Sequence, residues 1–368
     1  MSIIPSTISL LIKPAGPDCN LRCTYCFYRQ KSGMFPEAKV HRMKDSTLER
    51  LIRQSLDAGR DLAQFSWQGG EPTLMGLEFF QRVVELQGAN VQPGQVITNA
   101  LQTNGMLIDR KWAEFLAKYN FLVGISLDGP AGLHDHYRRD AAKLGSHSQV
   151  LRNLRLLLDA GAEVNILTLL NERNVKESDK VYDFLLDTGV KHFQFVPCVE
   201  PGPRGEPEFY CITPEEYGGF LCTLFDRWLD SPMDISVRDF DDLMLTMQGQ
   251  PANTCIVQPR CGGYLLVEHN GDVFPCDFFV YPKWRLGNLN STPLSELRTS
   301  PKLIEFGNQK AMLSEACQSC KWLGSCFGGC LKHRTALGAP VTEPTYFCES
   351  YRMLFEHATS ELDALQSA

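Results

Sequence analysis

The distribution of fourteen cysteines is the feature that most constrains what this chain can fold into. They are too sparse for a small secreted disulfide scaffold, in which cysteine exceeds roughly 8–10% of a short chain. Eleven of them fall into two groups, and in a reducing compartment such groups more often bind metal or carry out redox chemistry than form disulfides. We therefore expect a protein that binds metal ions or metal clusters.

Composition excludes several other classes of protein. The formal net charge of −7, without basic runs, disfavours a nucleic-acid binder. No apolar stretch reaches the roughly 18 residues that a membrane span needs, and the N-terminus lacks the basic segment of a signal peptide. We expect a soluble, cytoplasmic protein with no membrane or nucleic-acid partner. Its 368 residues predict two or three compact units.

Apolar stretches alternate with amphipathic helical patterns over about the first 200 residues. The predicted strands are residues 8–12, 63–67, 97–102, 121–126, 164–169 and 193–196. The helical patterns between them are residues 48–56, 79–86, 112–116, 150–158 and 181–186. This alternation predicts an α/β fold with a parallel sheet. The number of units is too small for a closed eight-stranded barrel, so we predict an open partial barrel.

The pattern changes after the breaker-rich segment 201–207. Two helices are predicted at residues 215–228 and 239–247, and the rest of the chain is rich in cysteine and turns. We place a domain boundary between residues 232 and 233. Polar segments at residues 68–72, 103–105 and 127–130 follow predicted strands, where parallel α/β folds bind ligands. Each segment could also be a simple turn, but three of them favour a shared cleft.

The first cysteine group is Cys19, Cys23 and Cys26, a C-x3-C-x2-C pattern just after the first strand. Three thiolates from one loop can hold three irons of a [4Fe–4S] cluster and leave the fourth iron open to a small-molecule ligand. The alternative is zinc, but a structural zinc site normally closes with four ligands. The count of three therefore favours iron and sulfide.

The second group is Cys255, Cys261, Cys276, Cys317, Cys320, Cys326, Cys330 and Cys348. Within it, Asn270-Gly271 predicts a β-hairpin with a type I′ turn, with positive φ at both residues. Such a hairpin would place Cys276 on a strand. Eight thiolates suffice for two further [4Fe–4S] clusters, whereas spacing alone equally allows two zinc sites or one site of each kind.

The cysteine triad, together with Gly69-Gly70-Glu71-Pro72, resembles the radical S-adenosylmethionine (SAM) superfamily. The later eight cysteines resemble its SPASM auxiliary-cluster extension. A closer resemblance, to the anaerobic sulfatase-maturating enzymes, rests on residues 12–14 (IKP), 23–28 (CTYCFY), 102–105 (QTNG), 126–130 (SLDGP) and 275–278 (PCDF). It implies a partial (β/α)6 TIM-like barrel over residues 1–232. A SPASM domain with a β-hairpin and C-terminal helices would follow over residues 233–368.

The same resemblance implies cofactors and their ligands. Three [4Fe–4S] clusters are expected: one on the triad, one on Cys255, Cys261, Cys276 and Cys330, and one on Cys317, Cys320, Cys326 and Cys348. S-adenosylmethionine is expected to contact Tyr25, Gly69, Gly70, Glu71, Ser126, Arg138 and Val199. Each of these residues also has an ordinary explanation in the core, at a turn or on the surface.

In that family, one-electron cleavage of the sulfonium gives methionine and a 5′-deoxyadenosyl radical. The radical takes a β-hydrogen from cysteine or serine in a sulfatase Cys/Ser-x-Pro-x-Arg segment. Loss of a proton and an electron then gives an aldehyde, or a thioaldehyde that hydrolyses to Cα-formylglycine. The resemblance implies Asp277 as the base, with Tyr28 and Gln68 near the peptide. The expected partners are an unfolded sulfatase polypeptide and an electron donor such as flavodoxin or ferredoxin.

Two other functions compete with this one. A related enzyme could form thioether crosslinks in a ribosomal peptide, but such enzymes often carry a leader-binding domain before the triad, and only eighteen residues precede Cys19. A zinc-ribbon interaction module on an α/β scaffold would not be an enzyme. It explains neither the three-ligand triad nor the glycine-rich strand ends. We expect an enzyme.

Overall fold

The computed structural model describes residues 6–36 and 38–367 and divides the chain into two compact units. The first unit comprises Met1–Ser126, Tyr137–Val164 and Gly262–Phe306. The second comprises Leu127–His136, Asn165–Cys261 and Gly307–Ala368. No helix in the described part of the chain is long and apolar enough to cross a membrane. The boundary at 232/233 stays a prediction.

Seven strands form the sheet of the first unit, in the order β10-β9-β8-β1-β2-β3-β4. They are β1 (Thr7–Lys13), β2 (Leu62–Trp67), β3 (Val96–Thr103), β4 (Phe121–Ser126), β8 (Leu265–Glu268), β9 (Asp272–Phe274) and β10 (Gly287–Asn288). The pairs β1–β2, β2–β3 and β3–β4 are parallel, as predicted. β8 adds to the free edge of β1, also in parallel, with Leu10 opposite Leu265. The hairpin therefore belongs to the sheet that carries the cysteine triad.

The second unit contains three strands in parallel pairs: β5 (Glu163–Leu170, from Asn165 onward), β6 (His192–Pro197) and β7 (Ser236–Val237). The longer helices of the chain are α1 (Asp45–Ala58), α2 (Leu77–Asn90), α3 (Arg110–Lys118), α4 (Ala131–Tyr137), α5 (His147–Asp159), α6 (Ser178–Asp187), α7 (Pro214–Leu229), α8 (Arg238–Met247), α10 (Pro301–Ala311) and α14 (Cys348–Ser367). Shorter turns of helix are α9 (Leu294–Leu297), α11 (Glu315–Gln318), α12 (Leu323–Cys326) and α13 (Leu331–Thr335).

Hydrophobic burial explains why these segments take these forms. Along β1, buried Ile8, Leu10 and Ile12 alternate with less buried neighbours, the period-2 pattern of a strand. The buried residues of α1 recur at helical spacing and point to one face. In the second unit, α7 begins with a capping box between Thr213 and Glu216. Its Tyr217 ring lies 5.1 Å from that of Phe347, just before the C-terminal helix α14.

The hairpin is confirmed, but the predicted type I′ turn is wrong. Gly271 N donates to Glu268 O at 2.9 Å, and Gly271 alone among the turn residues has positive φ (88°). This is the three-residue loop in which a glycine forms a bulge after a type I turn. Asn270 has negative φ, and its side-chain oxygen accepts from Asp272 N at 3.0 Å, as in an Asx turn.

The prediction that Cys276 lies on a strand is also wrong. β9 ends at Phe274, and the next residue is Pro275. Proline has no N–H to donate to a neighbouring strand, so pairing stops there. Cys276 and Asp277 consequently lie in the loop that leaves the hairpin.

Candidate active site and cluster sites

The cysteine triad lies in the loop that follows β1, in the first unit. Cys19 Sγ accepts a hydrogen bond from Leu21 N at 3.3 Å, and Cys26 N donates to Cys23 O at 3.3 Å. Burial, with smaller contributions from the charges of Glu71, Cys23 and Cys26, raises the pKa of the Cys19 thiol to about 12. The three sulfurs are therefore close enough to interact electrostatically. Such a thiol ionises when a metal binds to it.

The glycine-rich segment after β2 is docked on the backbone of this loop. Gly70 N donates to Gly16 O at 2.8 Å, and Glu71 N donates to Asp18 O at 2.7 Å. A Cβ built on Gly70 would overlap the carbonyl of Asp18. Only glycine permits such a close approach between position 70 and the Asp18 carbonyl, and this contact fixes the position of Asp18, directly before Cys19.

Glu71 is fully buried and joins the ends of β2 and β3. Its Oε1 accepts from Thr73 N at 3.0 Å, from Thr73 Oγ1 at 2.6 Å and from Thr103 Oγ1 at 2.7 Å. Its Oε2 accepts from Asn104 N at 2.8 Å, and Asn104 Nδ2 donates to Asn20 Oδ1 at 2.7 Å. Burial raises the pKa of Glu71, and these hydrogen bonds oppose the rise. The carboxylate thus holds β3 and the cysteine loop in register, and its contact with S-adenosylmethionine stays a prediction.

The docking of Gly70 leads to a first prediction. Gly70→Ala is expected to displace residues 17–19 and to lower the free energy of unfolding by about 1–3 kcal/mol, the usual penalty of overpacking. Iron bound by the triad is expected to fall with it. Iron analysis and denaturant unfolding measure both effects. Gly88→Ala is the control because a Cβ at Gly88 meets nothing within 4 Å. Equal iron content in Gly70→Ala and the wild type would contradict the prediction.

Two of the residues expected to contact S-adenosylmethionine lie together beside the triad. The Arg138 guanidinium carbon is 5.5 Å from the Tyr25 ring centroid, and Arg138 is buried. Arg22 N donates to Arg139 O at 2.6 Å, which fixes this segment against the cysteine loop. The structure therefore brings Tyr25 and Arg138 together.

Ser126 and Val199, the remaining residues expected to contact S-adenosylmethionine, lie at or near the ends of strands. Ser126 ends β4, and its Oγ accepts from Gln102 Nε2 at 3.1 Å. Val199 lies in the second unit, two residues after β6, where it is buried and its carbonyl accepts from Lys332 Nζ at 2.6 Å. Val199 and the glycine-rich segment follow strands, and Ser126 is the last residue of its strand.

Asp277 lies in a small polar cluster of the first unit. Asp277 is 7% exposed, so it is not a solvated acid on the protein surface. Its Oδ1 accepts from the Tyr264 hydroxyl at 2.9 Å, and its Oδ2 accepts from Gln68 Nε2 at 3.5 Å. The structure thus brings together two residues that the sequence nominates, Asp277 after β9 and Gln68 after β2. Tyr264 was not nominated.

A second group of polar side chains in the first unit surrounds Tyr28. The Tyr28 hydroxyl lies 2.7 Å from both carboxylate oxygens of Glu268, which ends β8. Lys13 Nζ lies 3.3 Å from the Tyr28 ring centroid. Burial lowers the pKa of Lys13, whereas Asp277, Glu268, Cys26 and Cys276 act in the opposite direction. The buried Lys13 side chain therefore lies near the carboxyl groups of Asp277 and Glu268 and the thiols of Cys26 and Cys276.

Sequence reasoning missed Lys13, Glu268 and Tyr264 as site residues. A signal existed for two of them, since Lys13 and Glu268 are charged residues at the ends of buried apolar strands. Charged residues are rarely buried unless they are paired. Tyr264 carried no signal of its own.

The remaining cysteines of the second group lie in the second unit and form two sets. Burial raises the pKa of Cys326 to about 11, and the charges of Cys348, Cys317 and Cys320 add to the rise. Those four sulfurs are therefore neighbours. Burial likewise raises the pKa of Cys261 to about 11, with Cys330 nearby.

The contacts of Lys310 show that Cys255 also lies near Cys261 and Cys330. Its Nζ donates to the carbonyl oxygens of Cys255 and Ile256, at 2.6 Å each, and is close to the charges of Cys261, Cys330 and Cys255. Cys276 belongs to the first unit.

These donor sets fit iron–sulfur clusters. The thiols of Cys19, Cys23 and Cys26 interact with one another, and they lie in the loop against which Gly70 packs too closely for any side chain. Three thiol ligands of this kind suit a cluster with one open iron. The set Cys317, Cys320, Cys326 and Cys348 suits a cluster with four thiolate ligands. Cys261, Cys330 and Cys255 lie near one another in the second unit, and the division of the eight cysteines between two clusters, with Cys276 as a fourth ligand of that set, stays a prediction.

Comparison with known proteins agrees with this chemistry. A family model for the radical SAM superfamily matches residues 14–185, and one for SPASM, an iron–sulfur cluster-binding domain, matches residues 255–321. The cysteine-type anaerobic sulfatase-maturating enzyme of Clostridium perfringens is 38% identical over 96% of this chain and 97% of its own length. The serine-type enzyme of Bacteroides thetaiotaomicron is 33% identical over 97% and 91%.

A solved structure gives the same result for the fold. Native anSMEcpe with bound AdoMet and Cp18Cys peptide superimposes with a TM-score of 0.90 at 37% identity, covering 98% of this chain and 99% of that one. The match confirms the predicted α/β partial barrel with a SPASM domain.

Proposed function

This chain belongs to the anaerobic sulfatase-maturating enzymes of the radical SAM superfamily, and from that premise we propose that it oxidises a cysteine or serine in a sulfatase Cys/Ser-x-Pro-x-Arg segment to Cα-formylglycine. It is an enzyme that uses S-adenosylmethionine and [4Fe–4S] clusters, so the zinc-ribbon alternative is wrong. The observation that supports the proposal most is the buried Asp277, held by Tyr264 and Gln68 next to the cluster cysteine Cys276.

Cys19, Cys23 and Cys26 would hold the first cluster, and Tyr25, Gly69, Gly70, Ser126, Arg138 and Val199 would bind S-adenosylmethionine. When bound, these groups supply a radical that removes a hydrogen atom from the substrate. Glu71 contributes by positioning, since its carboxylate oxygens already accept from Thr73, Thr103 and Asn104. Arg138 is suited to an anionic or aromatic part of the ligand because it already lies over the Tyr25 ring.

Asp277 would take the proton of the substrate thiol or hydroxyl. An ordinary thiol, with a pKa near 8.5, is a weaker acid than an ordinary carboxylic acid near 3.9, so complete transfer before oxidation costs about 6 kcal/mol. The proton is therefore expected to leave as the neighbouring carbon is oxidised. Asp277 is placed for this role because its two side-chain donors fix its orientation.

Tyr28 and Gln68 would line the peptide site. The Tyr28 hydroxyl is committed to Glu268 and Lys13 Nζ lies over its ring, so Tyr28 would act by shaping the wall of the peptide site. The Gln68 amide nitrogen is directed to Asp277, which leaves its carbonyl oxygen to accept from a peptide N–H.

The eight cysteines of the second group, in the proposed SPASM domain 233–368, would hold two auxiliary clusters, and these would supply an acceptor for the electron that leaves the substrate. A flavodoxin or ferredoxin would supply the electron that starts each turnover.

The test is an anaerobic assay of the cluster-loaded enzyme with S-adenosylmethionine, a reductant and a peptide containing Cys-Thr-Pro-Ser-Arg. We expect the peptide to exchange sulfur for oxygen and lose two hydrogens, with one 5′-deoxyadenosine per product. The serine analogue is expected to lose two hydrogens. A peptide with alanine at the target position is the control. If 5′-deoxyadenosine forms while both peptides stay unchanged, the proposed substrate is wrong and a different peptide modification, such as thioether crosslinking, takes its place.

A further inference from the structure

The Tyr264 hydroxyl lies between the base and a cluster cysteine. It donates to Asp277 Oδ1 at 2.9 Å and lies 3.3 Å from Cys276 Sγ. The Asp277 backbone N–H also points to it, at 3.4 Å. Tyr264 directly precedes β8, and Cys276 and Asp277 follow β9, so closure of one hairpin brings these three residues together.

The geometry of the donors defines what this hydroxyl can do. A phenol has one proton to donate and can also accept. The Asp277 N–H addresses the oxygen as an acceptor, so the hydroxyl proton is left for the carboxylate or the sulfur. The hydroxyl can therefore bind either group without any movement of the backbone.

We propose that Tyr264 is a positioning residue: its hydroxyl orients the Asp277 carboxylate towards the substrate and shares its hydrogen bond with the sulfur of Cys276. The proposal rests on the proposed function, which makes Asp277 the base and Cys276 a cluster ligand. Hydrogen bonds to cluster sulfurs alter the reduction potential of the cluster. One side chain thereby links the group that accepts the proton to the cluster that accepts the electron.

Removing only the hydroxyl separates this role from packing. Tyr264→Phe keeps the ring and leaves Asp277 with two longer side-chain contacts, from Gln68 Nε2 at 3.5 Å and from the neighbouring Cys276 Sγ at 3.6 Å. Loss of a supporting hydrogen bond of this kind costs about 10–100-fold in activity. We expect kcat for formylglycine to fall by this factor while KM for the peptide stays within about twofold.

The experiment compares wild-type, Tyr264→Phe and Tyr281→Phe enzymes, each loaded with clusters. Tyr281 lies after the same hairpin, is 48% exposed, and its ring, which packs on Lys31 Nζ, remains in phenylalanine. The measurements are kcat and KM, 5′-deoxyadenosine per formylglycine, and cluster midpoint potentials by redox titration with electron paramagnetic resonance. In Tyr264→Phe alone we expect a lower kcat, more 5′-deoxyadenosine per product and a lower midpoint potential of one cluster.

Unchanged kcat and potentials in Tyr264→Phe, or the same losses in Tyr281→Phe, would overturn the proposal. If Tyr264→Phe loses iron, Tyr264→His, which keeps a ring with an N–H donor, is measured in the same way, and iron loss in both variants would overturn the proposal in favour of a structural role. If the wild type makes no formylglycine, the proposed function fails, whereas the potential of Tyr264→Phe still tests the contact with Cys276.

Discussion

Replacing Asp277 by asparagine is expected to lower the rate of formylglycine formation by about 10²–10⁴-fold, the usual contribution of a general base. Asparagine has the same shape, and its carbonyl oxygen can still accept from the Tyr264 hydroxyl at the position of Oδ1. It cannot take up the substrate proton. Because Asp277 is not a cysteine ligand, the iron content and S-adenosylmethionine cleavage are expected to persist.

The measurement is the rate of peptide oxidation together with 5′-deoxyadenosine and iron per chain. Asp57→Asn, on the exposed side of α1, makes the same chemical change away from the site and should behave like the wild type. Peptide oxidation by Asp277→Asn at the wild-type rate would remove Asp277 from the mechanism.

Replacing Cys19, Cys23 and Cys26 together by alanine is expected to abolish S-adenosylmethionine cleavage altogether. These three thiols lie in one loop and interact with one another, so no other cysteine of that loop can substitute for them. The eight cysteines of the second group are unchanged. Iron is therefore expected to fall by about four atoms from about twelve per chain, the content of one cubane cluster out of three.

Iron and sulfide analysis, with 5′-deoxyadenosine as the activity readout, measures the effect of this triple substitution. The control is Cys222→Ala, since Cys222 lies in α7 and has no assigned role. Any 5′-deoxyadenosine formed by the triple variant above the level without enzyme would show that the triad does not hold the catalytic cluster.

Local patterns in the sequence predict much of the fold. The strands expected at residues 8–12, 63–67 and 121–126 each lie inside an observed strand or coincide with it. They could be predicted because a buried parallel strand is a short apolar run, visible without its partners. Helix α1 begins at Asp45, earlier than the apolar pattern from residue 48, because the first turn of a helix is polar and adds nothing to that pattern.

Contacts between distant parts of the chain could not be predicted in this way. Tyr28 and Glu268 form their hydrogen bonds across 240 residues of sequence, and these depend on the pairing of β8 with β1. No periodicity encodes that pairing. Tyr264 was missed for the same reason, since it becomes a partner of Asp277 only when the hairpin closes.

The auxiliary cysteines show the same limit of sequence reasoning. Spacing permits several ways to divide them into sets, whereas the structure shows which of the seven cysteines in the second unit lie near one another. The hairpin turn is a smaller case, because Asn-Gly suits both a type I′ turn and the bulged loop that forms.

The most direct test of the proposed chemistry is the destination of the substrate hydrogen. A Cys-Thr-Pro-Ser-Arg peptide with both Cβ hydrogens of the cysteine replaced by deuterium is incubated anaerobically with cluster-loaded enzyme and S-adenosylmethionine. Mass spectrometry of the product nucleoside is then expected to show one deuterium in 5′-deoxyadenosine, with one deuterium left in the aldehyde group of the peptide. Oxidised peptide accompanied by 5′-deoxyadenosine without deuterium would contradict hydrogen removal from the cysteine Cβ.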